Sequence, residues 1–347
     1  MDPSVYIPAY LERTYLASHP ELTDAARELV HNDISANPQK YAQSEHAQAL
    51  LSYAGVHRHL LDELHRIEDM GSDEEFEQTR NRLFDDMRDE LLKIVRIDAH
   101  VLDAQLLAII LADTPVDACL GDLMKLEATT ADYLQQSVPG FDMEAPHYWA
   151  NNVLADGVTA AGLTVSEPAL IGWLHTLDAI SQLCMASARY RAAANYARRV
   201  LKAEGYPTRA AGTVLLALAR LEDEDGFFAL AHQLEEQMGA DALENSPWYL
   251  LARTILLFKT NKMRPATRAL REFANRCEGG AFFLLNPMYQ TPYLPCRPEP
   301  HDPWDLSHQA VWEADGIISD TPDFAPWANA CEDVSQLAQE FARRYGF

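Results

Sequence analysis

Between residues 173 and 274 the apolar positions recur in a helical pattern three times over. Its clearest instances are Tyr190, Ala193, Ala197, Val200 and Leu201, then Phe227, Leu230, Leu234, Gln237 and Met238, then Met263, Ala266, Leu270, Phe273 and Ala274. Gln237 alone among them is polar, and the spacing within each set is that of one helix face. Ala193, Leu230 and Ala266 hold equivalent positions at intervals of 37 and 36 residues. A second apolar segment precedes each, marked by Leu177, Val214 and Leu250 and, seven residues on, by Cys184, Leu221 and Leu257. Two helices per period, neither able to bury its apolar face alone, predict an all-α solenoid in which each pair stacks on the next.

Helical signals extend beyond this block. Thr23 or Asp24 caps a helix through AARELVHN, and Ser35 or Asn37 precedes a longer one over residues 41–70. Gly71, Ser72 and Asp73 break the chain. Phe76, Leu83, Met87, Leu91 and Ile94 then form one stripe of an otherwise acidic segment, which predicts an amphipathic helix with a solvated face. Residues 98–112 and 115–134 read as a further, divergent helix pair. From 138 to 168, Pro139, Gly140, Pro146, Gly157, Gly162 and Pro168 interrupt any long period, which marks a connector with a short helix at HYWANNVLADG. Ser246 and Pro247 form a cap and first-turn pair before Trp248. Six prolines within residues 286–304 exclude a regular helix there, and SHQAVWEADGIIS and EDVSQLAQEFARRY follow as closing helices. The expected organisation is a helical region over 1–138, a connector over 139–168, repeats over 169–285, and a proline-rich segment with capping helices over 286–347.

The helix pairs, with Ala193 and Ala266 at the close-packing position of the second helix, resemble the tetratricopeptide family, although the family's glycine after the first apolar pair is missing. Residues 282–298, FFLLNPMYQTPYLPCRP, with an acidic helix and Trp327 after them, resemble the terminal module of bacterial repeat proteins distantly similar to the suppressor of tumorigenicity seven proteins. Asn286, Pro287, Tyr293 and Leu294 fit that module, and Pro295 stands where it has glycine. These resemblances imply a right-handed superhelix that binds protein, with no catalytic residues to carry over.

Charge narrows the choice of partner. With 28 basic and 52 acidic residues the net charge is −24, which opposes nonspecific binding to nucleic acid or anionic membrane. The balance is uneven, because residues 189–276 hold 14 Lys and Arg against 10 Asp and Glu, a surplus of +4, which leaves −28 for the remainder. That asymmetry suits the repeat block to an acidic segment, from another chain or from the protein's own acidic flanks, with solvated helix faces the plainer reading; a self-associating protein, in which the acidic N-terminal half docks on the repeat block of a second copy, is the competing class. Five scattered cysteines without a CxxC pair imply neither a disulfide framework nor a zinc site, and Cys119 and Cys184 read as buried thiols. The opening MDPSVYIPAYLERTYL lacks the basic and apolar regions of a signal peptide, and no apolar run approaches the roughly 20 residues of a membrane span. The expectation is a cytoplasmic protein.

Chemistry-bearing motifs are sparse. His57, His59 and His65 do not form HExxH, and no GxxxxGK[ST], GxGxxG or GxSxG is present, so no metal, cofactor or catalytic group is expected. Recognition surfaces are the better candidates. Arg264, Arg268 and Arg271 fall at i, i+4 and i+7 and share one side of a helix, suited to gripping carboxylates or phosphates, unless nearby acids such as Glu272 neutralise them or they are simply solvated. First helices of such repeats line a concave groove, which nominates Trp248, Tyr249 and Arg253 as peptide contacts, with Trp248 as a core residue the alternative. Tyr289, Tyr293 and Arg297 belong to a tail that either caps the solenoid or occupies its groove. An enzyme whose polar groups converge from distant repeats stands as a third class.

Overall fold

In the computed structural model the described residues are 1–67, 71–149, 159–291 and 300–347, and among them all regular structure is helical. The helices are α1 (Pro3–Ser18), α2 (Asp24–Ala36), α3 (Pro38–Tyr41), α4 (Glu45–Ile67), α5 (Asp73–Ile97), α6 (Leu102–Ile110), α7 (Val116–Ser137), α8 (Ala160–Ser166) and α9 (Pro168–Ala186). There follow α10 (Tyr190–Leu201), α11 (Ala210–Arg220), α12 (Glu224–Met238), α13 (Ala240–Glu244), α14 (Pro247–Lys259), α15 (Met263–Arg276), α16 (Gly280–Leu285), α17 (Asp305–Ser319), α18 (Phe324–Asn329) and α19 (Glu332–Tyr345). The chain divides into two compact units, one of Met1–Ala179 with Leu201–Pro207, the other of Ile180–Val200 with Thr208–Phe347.

In the first unit α1 packs on α2, α4 and α8, and the order α4, α5, α6, α7 continues as neighbours in space. Its core gathers Tyr6, Ile7, Leu11, Leu50, Leu60, Leu91 and Val101. Helix α1 has no counterpart in the expectation from sequence, since Pro3 and Pro8 both fall inside it. Pro3 occupies the first turn, where its missing N–H is harmless, and Asp2 caps the helix by accepting from Ser4. Pro8 does remove a ladder bond, which the burial of Tyr6, Ile7 and Leu11 offsets. Thr23 caps α2 and Ser72 caps α5. The long helix begins at Glu45, with Ser44 accepting from Ala47, because the chain first closes the short turn α3 at Pro38.

The second unit is built from sequential helix pairs. Helix α11 packs on α12 and α14, and α14 on α15. Ala193, Ala197, Val200, Phe227, Leu234, Ala266, Leu270 and Phe273 are buried, as the apolar period requires. Leu221 and Met263 are exposed, because each stands at a helix end rather than within the packed face. Gln237, the polar member of the pattern, is exposed as well.

One turn recurs three times in this unit. Ala188, Glu222 and Asn261 each adopt the left-handed conformation, with φ of 59°, 59° and 57°. At each, the next residue's N–H reaches back five positions, Arg189 to Cys184 at 2.7 Å, Asp223 to Leu218 at 3.1 Å and Lys262 to Leu257 at 2.8 Å. The left-handed residue itself bonds three positions back, to Met185, Ala219 and Phe258. This is the Schellman arrangement, which satisfies the terminal carbonyls of a first helix while reversing the chain into the second. Glycine is favoured there, and none of the three positions is glycine.

The C-terminal helices pack back on these pairs. Helix α17 lies against α11, α14 and α16, and α19 against α15, α16 and α18. The expected closing helices thus form, and they cover different faces. Phe282, Phe283, Trp304, His308, Phe341 and Phe347 make one aromatic cluster where they meet α16. Tyr293, Leu294, Pro295, Cys296 and Arg297 lie outside the described residues, as does most of the short helix expected at HYWANNVLADG.

Candidate functional surface

Trp248, nominated as a groove contact, is 5% exposed and therefore a core residue. Ser246 caps α14 through Tyr249 N–H and Pro247 takes its first position, which holds Trp248 at the start of the helix facing α11. Gly212 on α11 makes the space, for a Cβ there would stand 2.4 Å from Trp248 Cγ. Helix α17 supplies the polar partner, since Trp248 Nε1 donates to Glu313 Oε2 at 2.8 Å. Thr213 donates its hydroxyl to the other carboxylate oxygen. Glu313 is 8% exposed and sits between α11 and α14 with both oxygens satisfied, the condition under which a buried carboxylate is tolerated.

The α11 and α17 contacts form a ladder with one constant offset. Arg209 donates to Gln309, Thr213 to Glu313, and Arg220 to Asp320 at 3.4 Å, each pair separated by 100 residues. A constant difference along two helices requires that they run parallel. The partners on α17 follow at steps of four and seven, which returns them to one face. The first-helix face of α11 and α14, expected to be open to a partner, is therefore covered by this chain's own α17.

Tyr249 shares the first turn of α14 and Arg253 lies on the next. The Tyr249 ring stacks on Phe227 with centroids 6.0 Å apart, and the Arg253 guanidinium lies 5.9 Å from the Tyr249 centroid. Arg253 Nη1 also meets Glu272 Oε2 at 3.2 Å. Glu272 is thus spent on Arg253, although proximity in sequence suggested it as a neutraliser of the arginines on α15.

Those arginines do come together. Arg264, Arg268 and Arg271 line a shallow depression of about 330 Å³ with Thr267. All three are exposed, and among the described residues neither Arg264 nor Arg268 forms an ion pair. Arg271 Nε meets Asp333 Oδ2, in the first turn of α19, at 2.5 Å. The opposite face of α15 buries Ala266, Ala269, Leu270, Phe273 and Ala274, so the arginines are held outward on a fixed helix.

The first unit also holds a buried polar group that has no signature in the local sequence. Asp103 on α6 accepts from Tyr6 on α1 at 2.6 Å and is bonded to His175 Nδ1 on α9 at 2.9 Å. Burial disfavours its ionisation, but His175 and the Tyr6 hydroxyl together hold its carboxyl below the usual range. Burial, then the Asp103 charge, push Tyr6 well above the ordinary phenol value. Both carboxylate oxygens are occupied in tying three helices together, a structural use of the pair. No local motif announces it, because its members are 97 and 72 residues apart.

Of the histidine group on α4, His57 is buried beside Tyr53 while His59 and His65 are exposed. Glu63, at helical spacing from His59, pairs with Arg66 instead. Among the described residues no group of three potential ligands is placed to hold a metal ion. Cys184 is buried as expected, whereas Cys119 is only partly so, because α7 turns it towards its solvated side. Among the described residues no helix is long and apolar enough to cross a membrane. The class these features define is an all-helical protein with a fixed basic helix face. Comparison with family models, with curated proteins and with solved structures returned no match to this chain.

Proposed function

We propose that the protein is a protein-binding scaffold of the tetratricopeptide type, a right-handed superhelix of helix pairs over residues 169–285 that receives an acidic segment of a partner on the outer face of α15. The repeat reading is supported by the three matching Schellman turns at Ala188, Glu222 and Asn261 and by the recurrent burial of the second-helix face. One observation carries the function. Arg264 and Arg268 stand exposed and without an acidic partner among the described residues of a chain whose net charge is −24. Acids in such excess would ordinarily neutralise them, so a free guanidinium pair on a rigid helix is a surface kept for an incoming carboxylate. Because α17 fills the first-helix face, Trp248 drops out of the contact set, and Tyr249 and Arg253 serve to brace α14.

The test is capture of partners from the native cytoplasm by the tagged protein, beside a variant carrying Arg264→Glu, Arg268→Glu and Arg271→Glu. A partner retained by the wild type and lost from the variant supports the reading. Equal recovery by both removes the charged face from it.

A second reading is favoured by Asp85, Asp86 and Asp89, which are exposed on α5 and form no ion pair among the described residues. Here the acidic helix of one copy docks on the basic face of another. Light scattering separates the two, since a charge-driven dimer dissociates as salt shortens the screening length from about 8 Å at 0.15 M to about 3 Å at 1 M.

A further inference from the structure

The face on α15 is partly occupied already, by a group from its own chain. Asp333 reaches it from the first turn of α19, a helix that packs on α15 and α16 through Val334, Ala338 and Phe341. Its carboxylate meets Arg271 at 2.5 Å, yet the two side chains remain 48% and 54% exposed. The pair is therefore reachable by solvent, and by a competing anion. Arg264 and Arg268, the other two members of the same depression, have no such internal partner among the described residues.

We propose that Asp333 is a built-in competitor at the third position of this face, and that the ligand is an acidic peptide segment presenting carboxylates at alternate residues of an extended chain. The proposal rests on the reading that α15 receives an acidic segment. Spacing selects the ligand. Arg264 and Arg268 are about 6 Å apart along the helix axis, and Arg271 lies a further ~4.5 Å on. Alternate side chains of an extended segment project from the same side at a repeat of about 6.6 Å, whereas adjacent side chains point to opposite sides. Two acids separated by one residue therefore meet Arg264 and Arg268 together, and two adjacent acids do not. Thr267 between them adds no donor, because its hydroxyl is already given to the Met263 carbonyl at 2.9 Å. A third acid in the same alternation arrives at Arg271 and finds Asp333 in place.

Fluorescence anisotropy on the full chain tests this with labelled glycine–serine peptides carrying two alternate glutamates, three alternate glutamates, two adjacent glutamates, or none. In the wild type the alternate peptides bind more tightly than the adjacent one. In Asp333→Asn the three-glutamate peptide gains about two- to fivefold, the range an exposed ion pair supports, while the two-glutamate peptide is unchanged. Asp333→Glu, which keeps the charge, behaves as wild type. Arg271→Ala approaches the question from the other side and abolishes the advantage of the third glutamate, so a fold defect in the Asp333→Asn variant does not leave the matter open. If alternate peptides bind but neither substitution alters the three-glutamate peptide, the competitor is overturned and the acidic-segment reading stands. Binding of alternate and adjacent peptides alike overturns the spacing rule. If no glutamate peptide binds above the uncharged one, the reading of the face falls with the proposal.

Discussion

The indole nitrogen of Trp248 donates to Glu313 across 2.8 Å, so a helix placed 65 residues downstream supplies a polar partner to a buried tryptophan of α14. That bond, with the Thr213 bond to the same carboxylate, fixes α17 on the first-helix face of the second unit.

Glu313→Ala removes the carboxylate that the Trp248 N–H and the Thr213 hydroxyl share. A hydrogen bond to a charged group contributes about 1.5–3 kcal/mol, and the loss of side-chain packing adds to the cost. Chemical denaturation followed by tryptophan fluorescence is expected to show a lower midpoint in the variant. A midpoint indistinguishable from wild type would mean that Glu313 does not hold α17.

Gly212→Ala tests the close approach on the other side of the same tryptophan. The new methyl has no room beside Trp248 Cβ, Cγ and Cδ1, so α11 or α14 must shift. Overpacking of this kind costs about 1–3 kcal/mol. Calorimetry should record a lower Tm, and an unaltered Tm would show the pair to be more loosely packed than described.

Ala188→Gly is expected to act in the opposite direction. Ala188 is exposed and its φ of 59° is one that a Cβ opposes, by roughly 1–2 kcal/mol. Glycine removes this strain and also enlarges the unfolded ensemble, which returns part of the gain. The net expectation is a stabilisation of about 0.5–1 kcal/mol, and a destabilised variant would contradict the turn geometry.

The imidazole of His308 gives the second unit a dependence on pH. Burial, opposed by the Tyr289 backbone and by Asp305, places its pKa below the ordinary histidine value, and its Nε2 accepts from Thr291 N–H at 3.2 Å. A depressed folded-state pKa means that the unfolded chain binds the proton more readily. Stability is therefore complete above the unfolded value near 6.5 and is lost as pH falls from there towards the folded value. Unfolding midpoints between pH 7 and pH 5 should decline in the wild type and decline less in His308→Gln. His57 in the first unit is shifted the same way, again chiefly by burial, so the variant flattens the profile without abolishing its slope.

Local periodicity carried the helical architecture. The faces around Ala193, Phe227 and Leu270, the caps at Thr23 and Ser246, the break at Gly71 and Ser72, and the closing helices are properties of neighbouring residues, and neighbours in sequence suffice to read them. The arginine spacing on α15 was legible for the same reason. What escaped were the relations that depend on distant partners. Trp248 looks like a surface anchor until Glu313 is placed beside it, and the Tyr6, Asp103 and His175 group has no local spacing at all. Helix α1 escaped differently. Its prolines lower the local propensity, and burial of one face against α4 and α8 overrides it.

The constant offset between α11 and α17 also sets a timetable. A polypeptide made at about 5–20 residues per second completes α17 roughly 5 to 20 s after α11. Throughout that interval Thr213 lacks the carboxylate, and Trp248 lacks it for the last 65 residues of that stretch, so the apolar flank they border is wetted on the nascent chain. The newly made protein therefore passes through a stage in which it exposes to aggregation a face that α17 covers in the finished molecule.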